Sequence, residues 1–371
     1  MTSYVAGEPL RRGARMYFQE SEGMGHRMRH ARAERMLGWT RGLWGVWGRL
    51  TVGAAILAVL VWQLGTGPFL EPLHRIDAWL LAAAAGIAVP TTVCCAWRWR
   101  LVSRGLGSEL PLGAAVGAYY RSQFLNTVLP GGVLGDVHRA VRRGRDVDDI
   151  GHGVRVVVWE RTAGQVVQIA LTVVVLLVCP SPVRSSMPVI VGSVMVIALG
   201  AVLLGRRLPR WRFSALDRIA RTVVADVRDG LLARQAWPGV VLASAVVVAG
   251  HAATFVIAAR AAGSTASPVQ LLPLALLVML AMALPMNIAG WGPREGAAAW
   301  VFAVAGLGAA QGVATAVMYG VMVLVATLPG AAVLVAGWLR SANRRIEPAA
   351  SGRPDFPQPP PAAALEGAAH G

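Results

Sequence analysis

The sequence predicts an all-α integral membrane protein of about eight membrane segments, two of them broken or re-entrant. Three observations lead there. The chain of 371 residues is 55% apolar with a mean hydropathy of +0.54, and 15% of it is charged. A soluble domain carries about 25% charged residues. Several apolar runs reach the roughly 18–20 residues that span a bilayer. The charges cluster between those runs.

The net charge of +16 would suit nucleic acid, but its distribution does not. All 35 basic residues are Arg, and they flank apolar runs. Such clusters mark the cytoplasmic side of a membrane protein and attract anionic headgroups. Membrane lipids are therefore the expected partners. Cys94, Cys95 and Cys179 are too few for a disulfide framework, and Cys94 and Cys95 read as packing residues in an apolar run. No Cys/His cluster has zinc spacing and no glycine-rich nucleotide loop is present, so neither metal nor cofactor is expected.

Residues 1–42 form an Arg-rich segment expected on the cytoplasmic side, in which Met24, Met28 and Met36 are alternative starts to Met1. Residues 43–340 form the membrane domain. Trp39, Trp44 and Trp47 among Arg35, Arg41 and Arg49 read as an interfacial anchor. A first span covers about 50–66. The loop 67–77 has Arg75 as its only strong base and belongs outside. A second span, about 78–97, ends at Arg98, Arg100 and Arg104.

Residues 111–135 are apolar but interrupted by Tyr119, Arg121, Gln123 and Asn126, and the basic residues Arg139, Arg142, Arg143 and Arg145 follow. A full crossing would put that basic run outside, so the positive-inside rule favours a re-entrant hairpin turning at Pro130-Gly131-Gly132. A span at about 155–178 carries Glu160 and Arg161 near its cytoplasmic end. After a short external loop, 179–186, comes a span at about 187–205. Residues 206–237 place Leu216, Ile219, Val223, Val227 and Leu231 on one helical face, an amphipathic helix on the cytoplasmic surface. Spans at about 238–260 and 268–286, a short apolar stretch 297–309 and a span at about 312–338 complete the set. Arg340, Arg344 and Arg345 keep the C-terminus inside, and the Pro/Ala-rich tail 341–371 reads as disordered. Both termini are expected in the cytoplasm, with the chain in the plasma membrane.

Two interruptions resemble each other: Leu129-Pro130…Gly135-Asp136, and Leu284-Pro285…Gly290…Gly292…Arg294-Glu295-Gly296. Their occurrence in different halves of the chain fits an inverted repeat. Pro removes an amide donor, and Gly131, Gly132 and their counterparts allow backbone shapes that other residues resist. Freed backbone groups cannot face lipid, so such breaks belong in buried or water-lined sites. A charge at membrane depth costs at least about 2.5–3.5 kcal/mol and must be paired or solvated. The candidate headgroup-binding residues at the first break are Arg121, Asn126, Asp136, Arg139, Glu160 and Arg161. At the second they are Asn287 (next to Ile288), Arg294 and Glu295. The plainer alternative makes Asp136 an interfacial helix end, Glu160–Arg161 a structural pair and Gly-Trp-Gly-Pro an interfacial loop. His251 reads as a packed histidine, and Tyr119 and Tyr120 as packing residues.

These stretches are similar to the lysylphosphatidylglycerol synthase transmembrane region, or flippase-like, family. The resemblance rests on Arg98-Trp99, on residues 111–140, on Glu160-Arg161 with Gly164, and on Pro285…Gly290-Trp291-Gly292-Pro293-Arg294-Glu295-Gly296. It spans about 45–340. Gly132 stands where the family often has a small residue such as Ser, and Pro293 precedes Arg294. The resemblance implies a membrane domain that, in the best-understood members, moves an aminoacylated phospholipid between leaflets, and in stand-alone members handles a phospholipid or polyprenyl-linked headgroup. The aminoacyl-transferring activity of the best-understood members resides in a soluble synthase domain, which the short sequence after Arg340 does not supply.

Lipid transport is thus the leading expectation, with no catalytic residue assigned. A membrane-embedded transferase acting on a lipid-linked substrate is the first alternative. A non-transporting partner of a cell-envelope glycosyltransferase or synthase is the second, with 206–237 as its docking surface.

Overall fold

The computed structural model describes residues 48, 51–179, 226, 236–283 and 291–346. The elements among them are helical: α1 (Thr51–Leu64), α2 (Gly67–Leu70) continued by a 3-10 turn (Glu71–Arg75), α3 (Ala78–Gly105), α4 (Leu112–Val128), α5 (Leu134–Asp146), α6 (Ile150–Val178), α7 (Trp237–Ala261), α8 (Pro268–Met282), α9 (Pro293–Val304) and α10 (Ala309–Ile346).

Four of these helices, α3, α6, α7 and α10, are long and apolar enough to cross a membrane. A fifth span exists if α1 is taken with the α2 segment, which bends away from it by 116°. The eight segments expected from sequence are therefore not reached among the described residues. The physical reason is length. At about 1.5 Å rise per residue, α8 covers ~22 Å and α9 ~18 Å, against the ~30 Å of a hydrocarbon core. The stretch 111–135 likewise resolves into α4 and a break. The expected span 187–205 and all but the end of the expected surface helix 206–237 lie outside the described residues, Asp226 apart. So do the segment 1–42 and the tail beyond 346. The last helix runs to Ile346, past the boundary expected at 340.

The contacts give the topology. α3 and α7 are antiparallel: Gly239, early in α7, lies under Leu101 and Trp97, late in α3, and Gly250 lies under Thr91. α4 and α5 form a hairpin. Asp136 meets Ser122, Arg139 stacks on Tyr119, and Arg143 donates to the Glu109 carbonyl at 2.6 Å. The chain thus returns to the level at which α4 began. α6 then starts beside the end of α5, with Gly153 packed on the backbone of Ala140 and Gly144.

α8 and α9 form the second short pair. Their outer ends meet near the end of α7, where Gln311 donates to the Ala262 carbonyl at 3.2 Å and Ala266, Ala305 and Leu307 share one apolar cluster. α10 runs antiparallel to α9, placing Gly312 on Ala298 and Gly320 on Arg294, and reaches α4 at Gly330. The two pairs therefore open toward opposite ends of the bundle. α4–α5 opens where α3 ends and α7 begins, and α8–α9 opens where α7 ends and α10 begins. Phe255, Phe302 and Tyr319 stack between α7, α9 and α10 and fix the second pair.

Gly135 is the tightest point of the first hairpin. A Cβ there would run into the Ser122 carbonyl and the Asn126 side chain. Gly135→Ala should destabilise the protein by about 1–3 kcal/mol, the usual cost of overpacking. Gly113→Ala, in the same hairpin but with open space around it, should be neutral or slightly stabilising. Thermal unfolding of the purified variants in detergent measures both.

Candidate functional site

The break at Leu129–Val133 separates α4 from α5, and Gly131 and Gly132 both adopt positive φ there (88° and 63°). α5 then starts inside the bundle. Asn126 bridges the break: its Oδ1 accepts the Gly135 N–H at 2.8 Å and its Nδ2 donates to Asp136 at 3.1 Å. Ser122 donates to the same carboxylate at 3.0 Å.

Five ionised side chains assemble around this point. Glu160, on α6, is wholly buried at 0% exposure. Its Oε1 accepts from Arg98 Nε (2.9 Å) and Nη2 (2.6 Å) on α3, and from the Tyr119 hydroxyl (2.9 Å) on α4. Its Oε2 accepts from Arg139 Nη2 on α5 at 2.9 Å. Four helices thus converge on one carboxylate. Arg139 also reaches Asp136 at 3.1 Å, and its guanidinium lies 4.6 Å from the Trp99 ring centroid and 4.2 Å from that of Tyr119. Arg161 completes the group, pairing with Asp136 at 2.5 Å while half of its side chain (49%) stays exposed. A buried carboxylate is tolerated only when ion pairs and hydrogen bonds fill its lone pairs, and Glu160 meets that condition.

The second break carries a smaller version. Gly292 has φ 115°, a conformation suited to glycine, and it packs against the backbone of Gly53 on α1. Pro293 occupies the first turn of α9, where its missing N–H costs nothing. The buried Glu295 carboxylate accepts the Gly292 N–H at 2.6 Å through Oε2. Its Oε1 accepts from Arg294 Nη2 at 2.6 Å and Nε at 2.9 Å. Arg294 lies 5.0 Å from the Trp291 ring and 5.8 Å from the Tyr319 ring.

One cavity of about 330 Å³ joins the two breaks. Gly132, Asn126 and Arg161 line it from the first, and Pro293 and Arg294 from the second. Arg98 lines it too, held by Ser244 of α7, which accepts from its Nη1 at 3.0 Å. The wall is layered. Arg98, Arg161 and Arg294 line the cavity, while their carboxylate partners Glu160, Asp136 and Glu295 do not; the Arg161 side chain is half exposed, whereas Arg98 and Arg294 are nearly buried against their partners. Both short helices present their N-terminal ends here, which adds positive potential.

Of the residues singled out from sequence, Asn126, Arg161 and Arg294 reach the cavity wall, and Asp136, Arg139, Glu160 and Glu295 form the supporting layer. Arg121 is not brought in; its charged neighbours are Arg142 and Asp146. Asn287, Pro285 and Gly290 lie outside the described residues. Gly296 packs against Ile56 of α1.

Hydropathy alone makes Arg98 a topology marker after a span ending near 97. Instead α3 continues to Gly105 and buries Arg98 inside the bundle. Tyr119, expected as a packing residue, donates to Glu160. His251 is half-buried, hydrogen-bonded to the Tyr319 hydroxyl at 3.0 Å, and it also lines the cavity. The sequence signal that could have found Arg98 is Gly164, one turn beyond Glu160, whose missing side chain leaves room for the guanidinium. Gly320 does the same for Arg294.

Residues 46–330 match the family described as lysylphosphatidylglycerol synthase TM region. No curated protein matches the chain.

Removing one member of the buried group leaves charges without partners. Glu160→Gln should cost about 3–5 kcal/mol, as breaking buried pairs does. Combining it with Arg98→Gln should cost less than the two single changes together, by at least about 1 kcal/mol. Thermal unfolding across the double-mutant cycle measures that coupling.

Proposed function

The chain belongs to the lysylphosphatidylglycerol synthase TM region family, and from that premise we propose that it is a flippase-like transporter. It is a multi-pass membrane protein. Its substrate in this reading is a phospholipid or polyprenyl-linked lipid, whose headgroup occupies the cavity while the tails remain in the bilayer. The observation that carries the reading is the cavity wall: three arginines line one cavity that joins the two breaks, their carboxylate partners do not line it, and the Arg161 side chain is half exposed. A purely structural ion-pair network would spend every guanidinium on internal partners, as Arg98 and Arg294 do with Glu160 and Glu295. Here Arg161 keeps half its side chain exposed.

The topology supports the same reading. We take α4–α5 and α8–α9 as re-entrant hairpins inserted from opposite membrane faces. Then α3 to α6 and α7 to α10 form inverted helix–hairpin–helix repeats, an arrangement in which a central site can open to either side. The basic ends of α3, α5 and α10 share one face, which the positive-inside rule makes cytoplasmic. Both termini and the Arg-rich flanks belong on that face, in a plasma membrane. Arginine suits the site because its planar fork binds phosphate oxygens in pairs.

Reconstituted vesicles carrying a fluorescent phospholipid test the proposal through quenching of outer-leaflet fluorescence. The wild-type protein should expose inner-leaflet lipid to the quencher. Arg161→Gln should slow that exposure by about tenfold or more, the effect of losing a charged contact worth about 1.4 kcal/mol or greater, without loss of insertion. Wild-type vesicles no faster than protein-free ones, or an unaffected variant, would count against transport.

A further inference from the structure

The cavity wall holds one more ionisable group, His251 of α7, whose side chain is half-buried. Its Nδ1 lies 3.0 Å from the Tyr319 hydroxyl of α10. Its Nε2 has no hydrogen-bond partner among the described residues. The nature of the Tyr319 partner matters. A hydroxyl both donates and accepts, so it can donate to a neutral imidazole or accept from an imidazolium. The bond therefore holds the ring in place in either charge state. A carboxylate in the same position would favour the cation, and a backbone N–H would favour the neutral ring. Imidazole is also the side chain that ordinarily changes charge between about pH 5 and 8.

The other titratable groups on the wall come from five helices. Cys95 and Arg98 line it from α3, Tyr119 from α4, Arg161 from α6, Arg294 from α9 and Tyr319 from α10. The α8 residues on the wall are Met279 and Met282, which do not ionise. On α7 itself the other ionisable residue is Arg260, more than two turns away, and it donates to the Ser264 carbonyl at 3.2 Å. Among the described residues no Asp or Glu lines the cavity, and the sequence 284–290 contains no ionisable residue. Glu160 and Glu295 are committed to Arg98 and Arg294. An imidazolium at His251 thus has no carboxylate to pair with on the wall. An anion entering the cavity would supply that partner, and binding of the anion and of the proton would then strengthen each other by the same factor.

We propose that His251 is the proton-binding site of the cavity, and that a lipid phosphate enters together with a proton on Nε2. This rests on the transport reading of the same site and gives it an energy source. One proton offsets the single charge of a phosphodiester, so the pair moves without net charge. A pH difference across the membrane would then drive release toward the more alkaline side. Arg294, 5.8 Å from the ring of the same Tyr319 that holds His251, places a guanidinium of the second break beside this site.

Fluorescence anisotropy of a labelled short-chain phosphatidylglycerol tests this, with the purified full chain in a non-ionic detergent at about pH 5.5 and about pH 7.5. The phosphodiester of this probe stays ionised at both. The wild type should bind at least about fivefold tighter at the lower pH. His251→Gln should bring the ratio of the two affinities close to one, whereas a merely structural role for His251 would lower both affinities and keep their ratio. A chain with its six other histidines replaced by glutamine keeps His251 and should keep the wild-type ratio, so the linkage is read even if His251→Gln does not fold. Equal affinities at the two pH values in the wild type would overturn the proposal. So would a ratio that persists in folded His251→Gln, a ratio lost when the other six are replaced, or no binding at either pH. The assay needs no translocation. Vesicles that fail to move lipid would defeat the transport reading and leave the proton-linked site standing, and binding that ignores pH would defeat this inference without touching transport.

Discussion

Glu160 is the point on which the rest of the architecture depends. A carboxylate with no solvent exposure must have its oxygens filled, and here α3, α4 and α5 each send a donor to it. That requirement fixes the register of four helices at once. It also explains why Arg98 and Arg139 tolerate burial: each has a carboxylate, and Arg139 adds two aromatic faces. The carboxylates are committed to the rear layer, and of the three arginines that line the cavity Arg161 keeps half of its side chain exposed. Polarity at the site thus follows from packing order, with arginines lining the cavity and their carboxylate partners behind them.

The glycines make that layering sterically possible. Gly164 and Gly320 each vacate the volume that an arginine head occupies, and Gly135 lets α5 close on α4. The two breaks serve the same end by different means. At the first, Asn126 takes over the cap of the new helix from a neighbouring helix. At the second, Glu295 caps its own helix and holds Arg294 with its other oxygen. The Gly135 and Gly292 N–H groups, at the starts of the two short helices, therefore find side-chain partners without lipid or bulk water.

Much of this was legible in the sequence. The hairpin at 111–146 followed from charge placement alone, because Arg139 to Arg145 could not be carried across without violating the positive-inside rule. The breaks followed from Pro and Gly in runs otherwise apolar. The four long spans followed from hydropathy, but their ends did not. A window average stops at the first charge, and so it placed Arg98 outside a helix that runs on to Gly105. The role of Tyr119 was hidden because its partner, Glu160, is 41 residues away. Arg121 on α4 looked equivalent to Arg139 on α5 in composition, but Arg139 reaches Glu160 while the charged neighbours of Arg121 are Arg142 and Asp146. That no carboxylate among the described residues lines the cavity was likewise invisible, since it depends on which face of α6 carries Gln165 and Gln168.

The central claim is that the two breaks share one cavity whose guanidiniums receive a lipid headgroup. A high-resolution electron cryomicroscopy map of the protein in lipid nanodiscs tests it most directly. The account predicts Arg161 and Arg294 on the same cavity, with phosphate-sized density against the Arg161 guanidinium. Separate cavities for the two arginines, or a shared cavity filled only by acyl-chain density, would contradict it.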